Sequence, residues 1–455
     1  MTSEDGVPRL FGTNGVRGVV NSEEMDCMLA LRLGMAIGTF MKGAVLMGTD
    51  ARTSNEMIKS ACSAGMMAAG RDLVDLGVVP TPALQYSVKG GNFGGGVVIT
   101  ASHNPPEFNG IKCIDADGTE MSREGEERIE RLFHSRDFAR TGWRDVGHRR
   151  CSDTAIPRYI DGILSVTDVE RISASPLRVA LDCGNGAGGR VTPLLLEKLG
   201  IPYSTLNADP NGAFPGHNSE PTPENAKDLI EFMSQGGFDI GILHDGDADR
   251  TIFVDEKGSY LYGDRSLAIA AHFACLKNGG GLVVTTVGSS RCVEDAVSSA
   301  GGEVMYTRVG SPIVARAMME NNAVFGGEEN GGLIFPEMQY CRDGAMAAAR
   351  MIEIVAANGS LSEINARTPF YYQHKTKTAC PDDKKKIVLS RLQEDAADDR
   401  VDTTDGVKVF FEDGWVLARP SGTEPIFRIF SEAASEERAK EIAEHYRKKV
   451  VGIIG

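Results

Sequence analysis

Five short apolar runs break into loops rich in glycine or aspartate and then pass into helix-like periodicity. They are AVLMGTDAR (44–52), VVITASHNPP (97–106), VALDCGNGAGG (179–189), IGILHDGDADR (240–250) and LVVTTVGSSR (282–291). Strand–loop–helix series of this kind build parallel α/β domains, whose working loops lie at the carboxyl ends of the strands. The runs near 44, 179 and 282 are spaced like three related units, without a strict period. The pattern changes after about residue 370. VKVFFEDGWVLARP (407–420) alternates on both sides of Asp413-Gly414 and reads as a hairpin, and IFRIFSEA (426–433) adds a strand. The tail begins at Ser435, a helix cap followed by Glu436 and Glu437, with Ile442, Tyr446 and Val450 on one helical face. Polar or turn-rich stretches at 134–153, 254–265 and 368–386 read as joins. The expected class is α/β: three related mixed α/β domains, 1–150, 151–255 and 256–368, and a C-terminal α+β domain, 369–455.

Composition narrows the functional classes. A chain of 455 residues is too long for one ordinary core, and 42% apolar with 24% charged residues is ordinary for a globular protein. The net charge of −15 argues against nucleic-acid partners and anionic membranes. It leaves room for an anionic substrate in a locally basic cleft. The nine cysteines form no CxxC pair and no His/Cys cluster, which points to reduced thiols in a cytoplasmic protein without a zinc site. The start, MTSEDGVPRL, is polar and acidic, unlike a signal peptide, and no apolar run approaches the roughly 20 residues of a membrane span. A homo-oligomer is compatible with the sequence but not specified by it.

Five loops carry candidate chemistry. TASHNPPEFNGIK (100–112) sets Ser102 and His103 just beyond an apolar strand that Asn104-Pro105-Pro106 cannot continue, with Lys112 ten residues on. By itself it reads as a turn whose serine bonds its own backbone. HDGDADR (244–250) offers Asp245, Asp247 and Asp249 at alternate positions, so three hard oxygen ligands can face one point, as Mg²⁺ requires. An EF-hand is excluded, since the glycine placement and flanking helices are missing. FGTNGVRG (11–18) is glycine-rich with a single arginine, Arg17, and GGEENGG (326–332) presents Glu328, Glu329 and Asn330 either to sugar hydroxyls or simply to water. ARPSGTEP (418–425) combines the planar fork of Arg419 with the hydroxyls and backbone N–H groups of Ser421, Gly422 and Thr423, a set suited to phosphate oxygens. The serine, aspartate, GGEENGG and ARPSGTEP loops each fall in a different predicted domain, which implies a central cleft shared by all four.

With GTNGVRG, TASHNPPEFNGIK, DGDADR, GEENGG and RPSGTEP in this order over nearly the whole chain, the sequence resembles the α-D-phosphohexomutase superfamily. It is most similar to its archaeal-type phosphoglucosamine mutase and phosphomannomutase/phosphoglucomutase members. The resemblance implies an isomerase whose Ser102, phosphorylated, passes its phosphoryl group to a hexose or hexosamine monophosphate. A sugar bisphosphate then forms, reorients and returns its other phosphoryl group. One Mg²⁺ per subunit would be held by Asp245, Asp247, Asp249 and Ser102, with a sugar 1,6-bisphosphate as activator. Arg17 and Arg250 would approach the phosphoserine. His103 and Lys112 are both candidates for moving the hydroxyl proton. Lys112 would need its pKa lowered for that task, which Arg17 or Arg250 could supply. Glu328 and Asn330 correspond to sugar contacts, Arg308 in TRVGSP (307–312) to a looser ligand contact, and Arg419, Ser421, Gly422, Thr423 and Arg428 to the site of the phosphate that stays in place. The chain departs from bacterial members in carrying Asn330 and Gly332 where those commonly have serine and histidine. The expected reaction is glucosamine 6-phosphate to glucosamine 1-phosphate. Alternatives are mannose or glucose phosphates, a phosphatase with Asp245 as nucleophile, and a sensor without turnover.

Overall fold

The apolar runs become buried strands. In the computed structural model, which describes residues 9–12, 14–397, 399–422 and 424–454, Val45–Thr49 and Gly95–Ile99 are buried along their whole length. They run parallel at the centre of a six-stranded sheet ordered Val16–Val19, Phe108–Ile114, Gly95–Ile99, Val45–Thr49, Leu73–Val78, Arg149–Cys151. Phe108–Ile114 returns antiparallel to Gly95–Ile99, with Lys112 opposite Val98. The sheet is therefore mixed. Leu46, Val74, Leu84, Val88, Val98 and Ile114 form a core between it and the helix Thr81–Lys89.

A second, five-stranded sheet is ordered Tyr260–Leu261, Thr251–Asp255, Ile240–His244, Val179–Asp182, Tyr203–Leu206. Its central strands are parallel, but Ile240–His244 and Thr251–Asp255 form an antiparallel hairpin with His244 opposite Thr251. The helix Gly344–Asn358 is apolar on nearly every face and correspondingly buried. Asp343 caps it through Met346 N–H (2.9 Å) and also takes the hydroxyl of buried Tyr159. These two sheets, spanning Asn14–Ser266, belong with Asn330–Arg367 to one compact unit.

The other unit gathers Leu267–Glu329 and the chain from Thr368 onward. Gly302–Thr307, Gly281–Thr286 and Phe325–Glu328 lie parallel and side by side, flanked by the helices Arg291–Ser299 and Ser311–Asn321. A five-stranded antiparallel sheet follows, ordered Tyr372–Ala379, Ile426–Ala433, Gly414–Pro420, Val407–Phe411, Arg400–Asp402. Val388, Leu392, Val409, Val416, Phe427, Ile442, Tyr446 and Val450 close its core against the helices Asp382–Asp395 and Glu436–Ile454. Ser435 caps the last helix as expected, accepting from Arg438 N–H at 3.2 Å. Three α/β sheets and a C-terminal α+β layer thus match the expected class.

Two local readings change. The stretch expected to be only a join at 368–386 contains an eight-residue edge strand, Tyr372–Ala379, paired in full with Ile426–Ala433. Its polar alternation, QHKTKT, is the signature of an edge kept from pairing further. The hairpin turn falls at Glu412-Asp413 rather than Asp413-Gly414, because Gly414 pairs with Phe411. All nine cysteines are free thiols, and among the described residues no helix is long and apolar enough to cross a membrane.

Candidate active site

Two hairpin loops meet in the unit that contains both large sheets. The first leaves Ile99, passes Ser102 and returns at Phe108; the second joins His244 to Thr251 and carries the three aspartates. Each holds a non-glycine residue in the left-handed region, Ser102 at φ 52° and Ala248 at φ 54°. Such strain persists only where neighbours over-determine the backbone. At Gly246 any side chain would strike the Ser102 carbonyl, since a Cβ there would lie 2.5 Å from that oxygen. This close approach lets Ser102 Oγ donate to Asp245 Oδ2 at 2.9 Å, and both residues are fully buried.

Asp245, Asp247 and Asp249 offer carboxylate oxygens that all lie within 4.8 Å of one another. Lys112 Nζ, also fully buried, donates to Asp247 Oδ2 at 2.7 Å and to Asp249 Oδ2 at 3.1 Å. Thr81, the first residue of its helix, donates its hydroxyl to Asp247 Oδ2 (2.6 Å) and its N–H to the Asp247 carbonyl (3.0 Å). Arg342 Nη2 reaches Asp249 Oδ2 at 2.7 Å, and Arg250 N–H donates to Asp245 Oδ1 at 3.2 Å. The Oδ1 atoms of Asp247 and Asp249 are buried without a hydrogen-bond partner among the described residues. Orphaned carboxylate oxygens beside a third carboxylate form a donor set that fits a small hard cation.

Burial pushes the Asp245 carboxyl well above its ordinary range, and the neighbouring charges of Asp249 and Asp247 push it further. Burial opposes ionisation of Asp249 too, yet Arg342, Lys112 and Arg250 outweigh it and hold that carboxyl below the usual range. For Lys112, burial and Arg17 act downward but Asp247 and Asp249 win, so the ammonium sits above its ordinary value. The lowering expected from Arg17 or Arg250 is thus overruled by the two aspartates. His103 goes the other way: Arg250, then burial and Arg17, hold its imidazole far below the usual range, and its Nδ1 has no hydrogen-bond partner among the described residues. Arg17 lies across the serine loop, donating to Asn104 Oδ1 at 3.0 Å and the Ala101 carbonyl at 3.4 Å. Ser102, His103, Lys112, Arg17, Arg250 and the triad are therefore brought together.

The remaining expected residues are described within their own units. Asn330 turns back on itself, its Oδ1 accepting from Gly332 N–H at 3.1 Å. The space above Gly332 belongs to Arg342, whose Cδ would lie 2.2 Å from a Cβ at 332. A histidine there, as many bacterial members carry, would have to displace the arginine that pairs with Asp249. In the other unit, buried Glu328 accepts from Gly310 N–H at 3.0 Å, which ties it to the TRVGSP loop carrying Arg308. Asp405 links that loop to Arg419, accepting from Val309 N–H (3.1 Å) and lying 2.9 Å from Arg419 Nε. Arg428 stands opposite Arg419 across the sheet and donates to Glu424 Oε2 at 2.7 Å. Behind the ARPSGTEP loop, buried Lys385 donates to the carbonyls of Ser421 (2.8 Å) and Glu424 (2.7 Å), while the space over Gly422 is open. Thr423 lies outside the described residues.

Comparison with known proteins decides the family. Residues 8–140, 157–258, 262–371 and 376–449 match, in that order, the alpha/beta/alpha domains I, II and III and the C-terminal domain of phosphoglucomutase/phosphomannomutase. The chain belongs to the phosphoglucomutase/phosphomannomutase family. Among its relatives is a phosphoglucomutase/phosphomannomutase of Thermococcus kodakarensis, 47% identical over 445 residues, covering 96% of this chain and 97% of that one. Another is a phosphoglucosamine/phosphogalactosamine mutase of Sulfurisphaera tokodaii, 40% identical, covering 98% and 99%. A crystal structure of a phosphoglucomutase/phosphomannomutase family protein from Burkholderia thailandensis superposes with a TM-score of 0.87 at 28% identity, covering 100% of this chain and 98% of that chain.

Sequence reading missed three residues that hydrogen-bond to the serine or the aspartates: Arg52 to the Ser102 carbonyl, Thr81 to Asp247 and Arg342 to Asp249. Arg52 and Thr81 follow strand ends directly, as DAR and PTP, which is the one signal that could have marked them.

Proposed function

We propose that this member of the family is a cytoplasmic phosphohexomutase that interconverts glucosamine 6-phosphate and glucosamine 1-phosphate through a phosphoserine at Ser102. The observation that carries the reading is the Ser102 Oγ, buried and 2.9 Å from one of three clustered carboxylates, with Arg17 and Arg250 beside it. A phosphorylated Ser102 carries about −1.5 to −2 charge, and the half-buried guanidiniums of Arg17 and Arg250 at this loop oppose its repulsion from the aspartates. In the forward half-reaction the Ser102 Oγ–P bond breaks as the new P–O bond forms to the substrate hydroxyl. The hydroxyl proton is taken by His103 or Lys112. Arg250, burial and Arg17 hold the imidazole low, but the negative charge of a phosphoserine raises it again; against burial, Asp247 and Asp249 hold the ammonium high. The Ser102 oxygen released from phosphorus takes up a proton in exchange. After the bisphosphate reorients, the bond from its other phosphoryl group to the sugar oxygen breaks as the Ser102 Oγ–P bond re-forms. The Ser102 hydroxyl proton leaves by the same base, and the freed sugar oxygen takes it up. Asp245, Asp247 and Asp249 would hold Mg²⁺, which when bound would supply neutralisation of the charge spread over the transferring oxygens.

Glu328 and Asn330 are assigned to sugar hydroxyls. Arg308, Arg419, Ser421, Gly422, Thr423 and Arg428 are assigned to the phosphate that stays in place, and a sugar 1,6-bisphosphate to priming Ser102. The Thermococcus relative, a phosphoglucomutase/phosphomannomutase, favours mannose and glucose phosphates as the second reading. Phosphorus NMR of the protein with Mg²⁺, a trace of glucose 1,6-bisphosphate and the three 6-phosphates together tests both. Growth of the glucosamine 1-phosphate signal, lost in Ser102→Ala, supports the first. Growth of another 1-phosphate supports the second, and inorganic phosphate alone would replace both with the Asp245 phosphatase.

A further inference from the structure

We propose that Arg52 is the positioning residue of the nucleophile: it holds the loop that carries Ser102 in its strained form, with the serine directed at Asp245, and it does not bind substrate phosphate. The inference rests on Ser102 being the phosphoryl carrier.

The Arg52 side chain has five N–H donors, and each finds an acceptor. Nε donates to Asp50 Oδ2 at 3.1 Å. Nη1 donates to the carbonyls of Pro105 (2.6 Å) and Phe108 (2.8 Å), and Nη2 to those of Ser102 (2.9 Å) and Asn104 (2.5 Å). Four carbonyls between 102 and 108 thus converge on one buried guanidinium, only 2% exposed. A loop containing Pro105 and Pro106 lacks two backbone donors and cannot satisfy these carbonyls with a regular ladder. The planar fork does so instead, and with the carbonyls drawn to one side, Ser102 Oγ is left directed at Asp245.

The clamp is itself fixed. Asp50 also accepts from Thr100 Oγ1 (2.5 Å) and from Asn55 Nδ2 (2.9 Å), and the Thr100 hydroxyl in turn accepts from Ser102 N–H at 2.8 Å. Phe214 covers the guanidinium with its ring centre 5.2 Å from Cζ, and Ser219 Oγ adds bonds to the carbonyls of Asn104 (3.2 Å) and Ser102 (3.4 Å). An arginine with no donor left over cannot serve as a phosphate ligand, although its charge near a dianionic phosphoserine is favourable at any fixed distance. Lysine would supply one nitrogen in place of the fork and could reach only part of this set.

Arg52→Ala and Arg52→Lys, each assayed against wild type, test the assignment. Arg52→Ala should lower kcat by about 100-fold or more while KM for the sugar phosphate moves less than about threefold, the signature of lost alignment rather than lost binding. Added guanidinium should restore part of kcat, and Arg52→Lys should fall between the two. Amide hydrogen exchange across residues 100–108 should rise in both variants while the second sheet stays protected. This reading works whatever the turnover, so a silent wild type would sink the proposed reaction and still leave the clamp tested. If Arg52→Ala does not fold, Arg52→Lys keeps the charge opposite Asp50 and carries the test alone. A rise in KM with kcat preserved would make Arg52 a substrate ligand. Unchanged exchange at 100–108 in a folded variant would overturn the proposal outright.

Discussion

Replacing Lys112 by methionine removes the one ammonium between Asp247 and Asp249 while keeping the length of the side chain. Lys112 is fully buried, with its Nζ 2.7 and 3.1 Å from the two carboxylates. Taking away one partner of a buried ion pair costs about 3–5 kcal/mol, because the other charge stays in a poor solvent. Here the lower end applies. Asp247 keeps the Thr81 hydroxyl at 2.6 Å and Asp249 keeps Arg342 at 2.7 Å, so neither carboxylate is abandoned. A loss of about 3 kcal/mol corresponds to a fall of roughly 6 °C in the melting transition of a unit this large. Differential scanning calorimetry in EDTA would measure it. The same scan with saturating Mg²⁺ should close most of the gap, since a cation bound only by the folded loop stabilises it by mass action. Wild type should gain less from Mg²⁺ than the variant, because its own ammonium competes for the same oxygens. Equal melting temperatures for Lys112→Met and wild type in EDTA would refute the idea that Lys112 neutralises the triad.

Three further outcomes follow from the same geometry. Ser102→Ala should lower turnover by more than about 10⁴-fold with the fold retained, checked by phosphorus NMR and by the absence of an added phosphate in the intact mass. Lys385→Met, which frees the carbonyls of Ser421 and Glu424, should raise KM about 10-fold, the equivalent of one charge-assisted hydrogen bond, with a smaller change in kcat. His217 gives a pH test. Burial acts to lower its pKa, but the Asp182 carboxylate, 3.3 Å from Nε2, and the Asn218 carbonyl outweigh this and raise it. A raised histidine pKa stabilises the fold fully below about pH 6.5, and that contribution is lost as pH rises through the folded value. Urea midpoints of wild type should therefore fall from pH 6 to pH 8 by more than those of His217→Gln, and parallel falls would count against the pairing.

The parts legible in sequence were those in which side chains state their own purpose. The alternation in HDGDADR forecast three convergent carboxylates, and the alternation in IFRIFSEA forecast a strand over the same eight residues. Ile442, Tyr446 and Val450 forecast the buried face of the last helix. Illegible were the residues that act through somebody else's backbone. Arg52 and Lys385 grip carbonyls dozens of positions away, and Arg342 completes the pairing of an aspartate 93 positions earlier. No local pattern announces such bonds. The strand Tyr372–Ala379 was read as a join because an edge strand shows water a polar rhythm. Nor did the sequence pattern signal that Asn330 Oδ1 accepts from Gly332 N–H within its own turn, a bond that asparagine beside glycine readily makes.

The two compact units are interleaved along the chain, and this has a consequence for synthesis. The unit holding the triad needs Asn330–Arg367, which emerge only after the intervening segment Leu267–Glu329. At about 5–20 residues per second of translation, the 93 positions from Asp249 to Arg342 represent roughly 5–20 s during which the aspartates exist without that arginine. A nascent chain paused in this window carries an under-neutralised acidic hairpin, so free divalent cation in the surrounding solution should favour its early folding. Cutting the gene at the end of the second sheet would hold the protein permanently in that state.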